Sequence, residues 1–405
     1  MPRPSLPFVL GGTLLFLASL PLILASSGDR NPTFQHCLKG CEITYCDPSQ
    51  PPIAGYLRAF GWTCAENCAY ECTHSFTDNI RPGSRYHQFY GKWAFYRFGP
   101  FQEPVSILMS LGNLWVNLVG LQDMRRRVRP ENRMRPWLVA MGLVQINTWV
   151  WSSVFHARDT PTTERLDYFS ATLTIAFTLL YSIVRIFGLQ TPLTTSRLLI
   201  PVSASIAFLV LSHFTYLLSF PRHAFPYGYH TAFNLVLAIV HNILWITWSA
   251  SFKFRLPTLT FLNTKIEFPK PYPPNDPLST SISKPKEAST PLSLVFLTTM
   301  AMSLELLDFS PILRMVDAHS LWHAATIPIT LAWWQFMTND AIELEGSLLN
   351  GARGGGNEKF PLSGGGTGAE TMEATPRTPN FAQLAAGSSG FRKSPSPSPK
   401  VTKPE

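Results

Sequence analysis

Apolar and polar positions divide the chain into blocks. Seven long apolar runs dominate it: about Pro104–Gln122, Pro136–Phe155, Leu166–Ile186, Arg197–Leu218, Tyr229–Ala250, Pro291–Asp308 and Ala318–Thr338. Each approaches the ~20 residues that a helix needs to cross the hydrocarbon core of a bilayer. The pattern predicts an all-α membrane protein with seven transmembrane helices over residues 101–340. A further apolar run, about Phe8–Leu24, follows Arg3 and ends in Ala25, Ser26 and Ser27. That is the form of a secretory signal peptide over residues 1–26. Residues 251–290 are rich in proline and serine and predict a disordered connector. From Ala341 the chain turns to Gly, Ser and Pro, which predicts a disordered tail over residues 341–405.

Composition agrees. Only 14% of the residues are charged, against about 25% in soluble domains. The net charge is +8, but the basic residues sit in loops between apolar runs rather than on one aromatic-studded face, which argues against nucleic-acid binding. All six cysteines fall between Cys37 and Cys72. An even number confined to one short segment behind a signal peptide predicts three disulfides in an oxidising compartment, in a small luminal segment over residues 27–100. Zinc is the competing use, but the C-x3-C and C-x4-C spacings lack the usual C-x2-C knuckle. Six cysteines allow 15 pairings, and the spacing does not choose among them.

The charges also orient the spans. A luminal N-terminus sends the first span inward, to the loop "DMRRRVRPENRMR" with six arginines and two acids. The 251–290 loop, with Lys253, Arg255, Lys265, Lys270, Lys284 and Lys286, falls on the same side. Both are then cytosolic, as the positive-inside rule requires, and so is the C-terminus.

Candidate chemistry lies in the spans. His319 and His323, in "DAHSLWHAATIP", are four residues apart and share one helix face. Ser152 and His156 show the same spacing at the end of the second span, and Asp167 opens the third. The expected topology brings all five to the luminal level of the membrane. Singly, each has an ordinary structural use: an interface histidine, a helix-dipole carboxylate, a packing serine. Together, three imidazoles and one water form the ligand set of a catalytic zinc. Asp167 then suits proton transfer, and Ser152 suits orienting the water or donating to an oxyanion. His213, His223, His230 and His241 have no such spacing and read as structural. Glu305, Asp308, Arg158 and Asp159 read as interfacial charges or as hydrogen-bond partners of the histidines.

S-x3-H on the second span, the aspartate eleven residues later and H-x3-H on the seventh resemble the seven-helix superfamily of alkaline ceramidases and progestin/adiponectin-type receptors. "GKWAFYRFGPFQEPVSILMSLGN", "SSVFHARDTPTTERLDYFSA" and "LLDFSPILRMVDAHSLWHAATIPI" are similar to one branch, the Per1-like post-GPI-attachment phospholipases that remodel GPI-anchor lipids. The resemblance implies removal of the sn-2 acyl chain from the phosphatidylinositol of GPI-anchored proteins, in the endoplasmic reticulum or Golgi membrane. It implies zinc on His156, His319 and His323, with Asp167 and Ser152 as the catalytic pair. The alternatives are a ceramidase-like amidase, a receptor of opposite orientation, or a GPI-protein assembly or transport factor with a structural zinc.

Overall fold

A computed structural model describes residues 26–81, 83–190, 198–252, 259–261, 264–266 and 287–354. The expected signal peptide, but for Ser26, lies outside the described residues, as do most of the 251–290 loop and the tail beyond Gly354.

The N-terminal segment is a helical hairpin: α1 (Pro32–Tyr45), the short α2 (Gly55–Ala59) and α3 (Cys64–Asp78). Asn31 caps α1 by accepting from the Thr33 amide, and Pro32 occupies the first turn. Thr63 and Glu66 form a capping box on α3. Cysteines spaced near four residues apart line the facing sides of α1 and α3, so three bridges form a nested ladder: Cys37–Cys72, Cys41–Cys68 and Cys46–Cys64. No free cysteine remains. The sulfurs of Cys46, Cys64 and Cys68 lie close together, but they are consumed in disulfides and offer no thiolate to a metal. The ladder and a small core of Phe34, Cys72 and Phe89 hold the hairpin together.

The bundle follows: α4 (Pro104–Arg127), α5 (Arg135–Ala157), α6 (Pro161–Ile186), α7 (Ile200–Leu218), α8 (Tyr227–Ser251), α9 (Thr290–Leu307) and α10 (Ala318–Gly354). Neighbouring helices pack in the order α4, α5, α6, α8, α9, α10 and back to α4, with α7 against the outside of α6. Helices α4 to α9 are long and apolar enough to cross a membrane, which makes six against the seven expected. Helix α10 has the length, but His319, His323 and its tryptophans dilute its apolar character. It is also longer than expected. It runs to Gly354, so the tail boundary at Ala341 falls inside a helix, because Ala341 and Leu344 still pack into the core. The 251–290 loop contains a short antiparallel ribbon, β1 (Leu259–Phe261) with β2 (Thr264–Ile266), on β-favouring residues.

An apolar core fills the arginine-loop end of the bundle, whereas α4 turns a polar face inward near the histidines. Ser106, Ser110, Asn113 and Asn117 line the buried face of α4, while Leu108, Leu111, Trp115 and Leu118 are exposed. Close helix contact uses glycine: a Cβ at Gly120 would collide with the Trp334 ring. The Trp334 indole N–H donates to Asn117 Oδ1 (2.9 Å), and the Asn113 side-chain amide donates to the His323 carbonyl (2.7 Å). At the other end, Arg185 of α6 and Asp340 of α10 form a buried two-pronged ion pair, both bonds 2.6 Å. Removing one partner of such a pair costs about 3–5 kcal/mol.

The nested ladder predicts that a non-reducing peptide map of the purified chain recovers Cys37 with Cys72, Cys41 with Cys68 and Cys46 with Cys64. Replacing Cys41 and Cys68 together by Ser should destabilise the segment by about 2–5 kcal/mol, read as a lower denaturation midpoint. Any other pairing in the map refutes the ladder.

Candidate metal centre

Three histidines meet at one end of the bundle. His156 stands in the last turn of α5, and His319 and His323 in the first two turns of α10. Asp317 starts α10 where it does: its carboxylate accepts from the Ser320 amide (2.8 Å), and its own amide donates to Ser320 Oγ (2.9 Å). The Nε2 atoms face one another, with His319 2.8 Å from His323 and 3.3 Å from His156. One ligand atom from each of the three rings falls within 4.8 Å of the others.

Every ring is held from behind through Nδ1. His156 Nδ1–H donates to Glu103 Oε2 at 2.7 Å, and His319 Nδ1–H to Glu305 Oε2 at 2.6 Å. His323 Nδ1 meets Ser110 Oγ at 3.1 Å, and that hydroxyl meets Ser152 Oγ at 3.0 Å. Carboxylates only accept, so the δ nitrogens of His156 and His319 carry the protons and their ε lone pairs point at the shared centre. The backbone fixes the first pair as well: the amides of Gln102 and Glu103 donate to the carbonyls of Ala157 and His156, at 3.2 and 3.1 Å. Glu103 is charged because Lys92 Nζ lies 2.5 Å from its other oxygen. Burial works against that charge, but Lys92 and His156 outweigh it and hold the Glu103 carboxyl well below the usual carboxylate range. Lys92 also pairs with Asp159 (3.3 Å) and lies over the Phe155 ring.

Three neutral imidazoles converging on one point, two of them backed by carboxylates, fit a divalent metal. No fourth His, Cys, Asp or Glu joins the group among the described residues. His156 and His323 are buried, whereas the His319 side chain is one-third exposed. Access to the centre is therefore from the His319 side.

The expected residues fall as follows. His156, His319 and His323 come together. Asp167, on α6, is close enough to interact electrostatically with His156 and His319 but stands outside the ligand cluster, and its carboxylate has no hydrogen-bond partner among the described residues. Ser152 is turned to Ser110, behind His323. Glu305 is the partner of His319, whereas Arg158 pairs with Glu66, Asp159 with Lys92 and Arg222, and Asp308 accepts from Gln88 and Trp93. His213 and His230 bond each other (3.1 Å), and His241 bonds Asn242. Sequence reasoning missed Lys92, Glu103 and Ser110. Glu103 was findable: it directly precedes the first span, at the depth already assigned to the histidines.

A family model described as the Per1-like family matches residues 54–341. The chain belongs to the Per1-like family. This Per1-like chain is 33% identical over 339 residues to a Xenopus laevis protein named GPI-specific phospholipase A2-like PGAP3, covering 82% of this chain and 94% of that protein. The Homo sapiens protein of that name is 33% identical over the same shares. A Schizosaccharomyces pombe protein named Protein PER1 homolog is 35% identical over 320 residues, 76% of this chain and 85% of that protein. The Per1-like match thus spans all three histidines, Ser152 and Asp167. No solved structure matches the chain.

The geometry predicts that His156→Ala, His319→Ala and His323→Ala each lose bound divalent metal, measured by elemental mass spectrometry on purified protein. Glu103→Gln should keep the fold and weaken metal binding about 10–100-fold. Wild-type metal content in all three histidine variants would dismiss the centre.

Proposed function

We propose that the chain remodels GPI lipids by hydrolysing the sn-2 acyl ester of their phosphatidylinositol, with zinc on His156, His319 and His323. The observation that carries this reading is the meeting of three Nε2 atoms with no fourth protein donor beside them among the described residues. A structural zinc takes four protein ligands, whereas a catalytic one keeps a position open. The names of the relatives supply the substrate class.

When bound, zinc supplies Lewis acidity toward an acyl carbonyl and a water that loses its proton near neutral pH. The chain's own residues do the rest. Glu103, Glu305 and Ser110 fix the three ring planes through Nδ1, so the ε nitrogens need no rearrangement during turnover. Asp167, with its carboxylate free, accepts the proton of the attacking water and returns it to the leaving glycerol oxygen. The acyl carbon gains the water oxygen and the C–O ester bond breaks, giving a fatty acid and a lysolipid. Ser152 acts through Ser110 to hold His323.

The site faces the lumen of the endoplasmic reticulum or Golgi in this reading, with α10 as the seventh span and the C-terminus in the cytosol. Two observations support that orientation. The disulfide hairpin is tied to the histidine end of the bundle, with Arg158 paired to Glu66 and Arg314 to Asp78, and disulfides belong to an oxidising compartment. The arginine-rich loop after α4 lies at the opposite end, as cytosolic loops do.

In cells lacking the chain, wild type should restore remodelled GPI lipids, whereas His319→Ala should leave the original sn-2 chains in place at normal protein level. Mass spectrometry of GPI acyl chains reads this, and full remodelling by His319→Ala would reject hydrolysis at this centre. Asp167→Asn should retain metal while turnover falls about 10²–10⁴-fold. Undiminished turnover would remove Asp167 from proton transfer.

A further inference from the structure

A cavity of about 390 Å³ opens at the histidine end of the bundle, between the disulfide-tied segment and the turn that joins α9 to α10. Tyr86, His87, Trp93 and Tyr96 form one wall, and Ser310 and Arg314 the other. Both walls belong to segments between helices, outside the apolar bundle. Both also hang on residues that hold the histidines. Trp93 follows Lys92, the partner of Glu103. Its indole N–H donates to Asp308 Oδ1 (2.9 Å), and Asp308 stands one turn beyond Glu305, the partner of His319.

The turn is shaped against the segment at some cost. Asp308, Leu313 and Arg314 all have positive φ (35°, 53° and 55°), a region that side chains other than Gly, Asn and Asp seldom adopt. Cross-links hold it there. The Tyr96 amide donates to the Arg314 carbonyl (3.0 Å), and the Arg314 guanidinium donates to Tyr96 Oη (3.2 Å) and His74 Nδ1 (3.1 Å) and pairs with Asp78 (2.6 Å). The result is a wall with a fixed cation facing a wall of aromatic rings, two of them, Tyr86 and Tyr96, about half exposed.

We propose that this cavity is a headgroup subsite for an inositol phosphate bearing a sugar. Pyranose and inositol rings present C–H faces that stack on aromatic rings, and hydroxyl edges that hydrogen-bond to tyrosine and serine hydroxyls. The exposed Arg85 beside Tyr86 supplies positive charge for the phosphate, while Arg314, already paired with Asp78, stiffens the opposite wall. The position fits the shape of a lipid. An acyl ester at the boundary of the apolar layer, beside the accessible His319, puts its headgroup just outside that layer, where the cavity lies. The assignment rests on the ester-hydrolase reading for its substrate, and it assigns lipid selectivity to the N-terminal segment and the α9–α10 turn rather than to the histidines.

The test uses the full chain, zinc-loaded, in nanodiscs. The probe is glucosaminyl-inositol phosphate without acyl chains, titrated by calorimetry. Tyr86→Ala removes a ring that makes no hydrogen bond among the described residues. Leu313→Asp puts a negative charge on the cavity rim, at an exposed position whose backbone Asp tolerates. Each should weaken binding of the probe about tenfold, the worth of a stacked ring or an added repulsion. On the whole glycolipid, each should raise KM by a similar factor and leave kcat nearly unchanged. His319→Ala should bind the probe like wild type while losing turnover. No binding of the probe to wild type, or equal binding to wild type and both variants, overturns the subsite. Probe binding that the two variants weaken, in a wild type that cleaves no glycolipid, supports the subsite and rejects the hydrolase reading instead.

Discussion

Three ε nitrogens aimed at one another from two helices repel unless a positive charge lies between them, and the structure is organised to hold them there. The restraint is behind the rings. Glu103, Glu305 and Ser110 each engage one Nδ1, and each belongs to a different element from the histidine it holds. A carboxylate in this setting is costly to bury alone, by several kcal/mol. Lys92 offsets that cost at Glu103 and is in turn steadied by Asp159 and the Phe155 ring. The centre is therefore the end of a charge chain that starts in the disulfide-tied segment and ends on His156.

The bundle follows from the same requirement. A polar site among membrane-crossing helices needs every amide and hydroxyl around it to find a partner inside the protein. Helix α4 answers it with a buried stripe of serine and asparagine, of which Asn113 Oδ1 has no partner among the described residues, and an outer face of leucine and tryptophan. Asn113 reaches the His323 carbonyl, and Asn117 takes the Trp334 indole proton. Gly120 lets α10 approach closely enough for these bonds to form. The far end is closed by Arg185 and Asp340, so α10 is fixed at both ends of its contact with the bundle.

Much of this was legible in the residues. Apolar run length marked the first six helices of the bundle to within a turn or two, and the four-residue spacing of His319 and His323, with His156 at the same depth, marked the histidine cluster. What escaped has physical causes. The end of α10 was placed where glycine and polar residues begin, but Ala341 and Leu344 still have a core to bury against. The disulfide ladder depends on which helix faces which, and local spacing does not encode that. Lys92 and Ser110 were missed because a single lysine or serine carries no spacing signal; Glu103 shared the depth of the histidines, but only the fold shows that it stands behind His156 with Lys92 behind it.

The wide separation of the histidines along the chain has a temporal meaning. His156 is made early, held by residues that precede it, whereas His319 and His323 lie on α10, more than 160 positions later. A chain that stops before α10 therefore carries one of the three imidazoles. Such a fragment can fold its first helices and still offer no three-histidine cluster to the surrounding lipid.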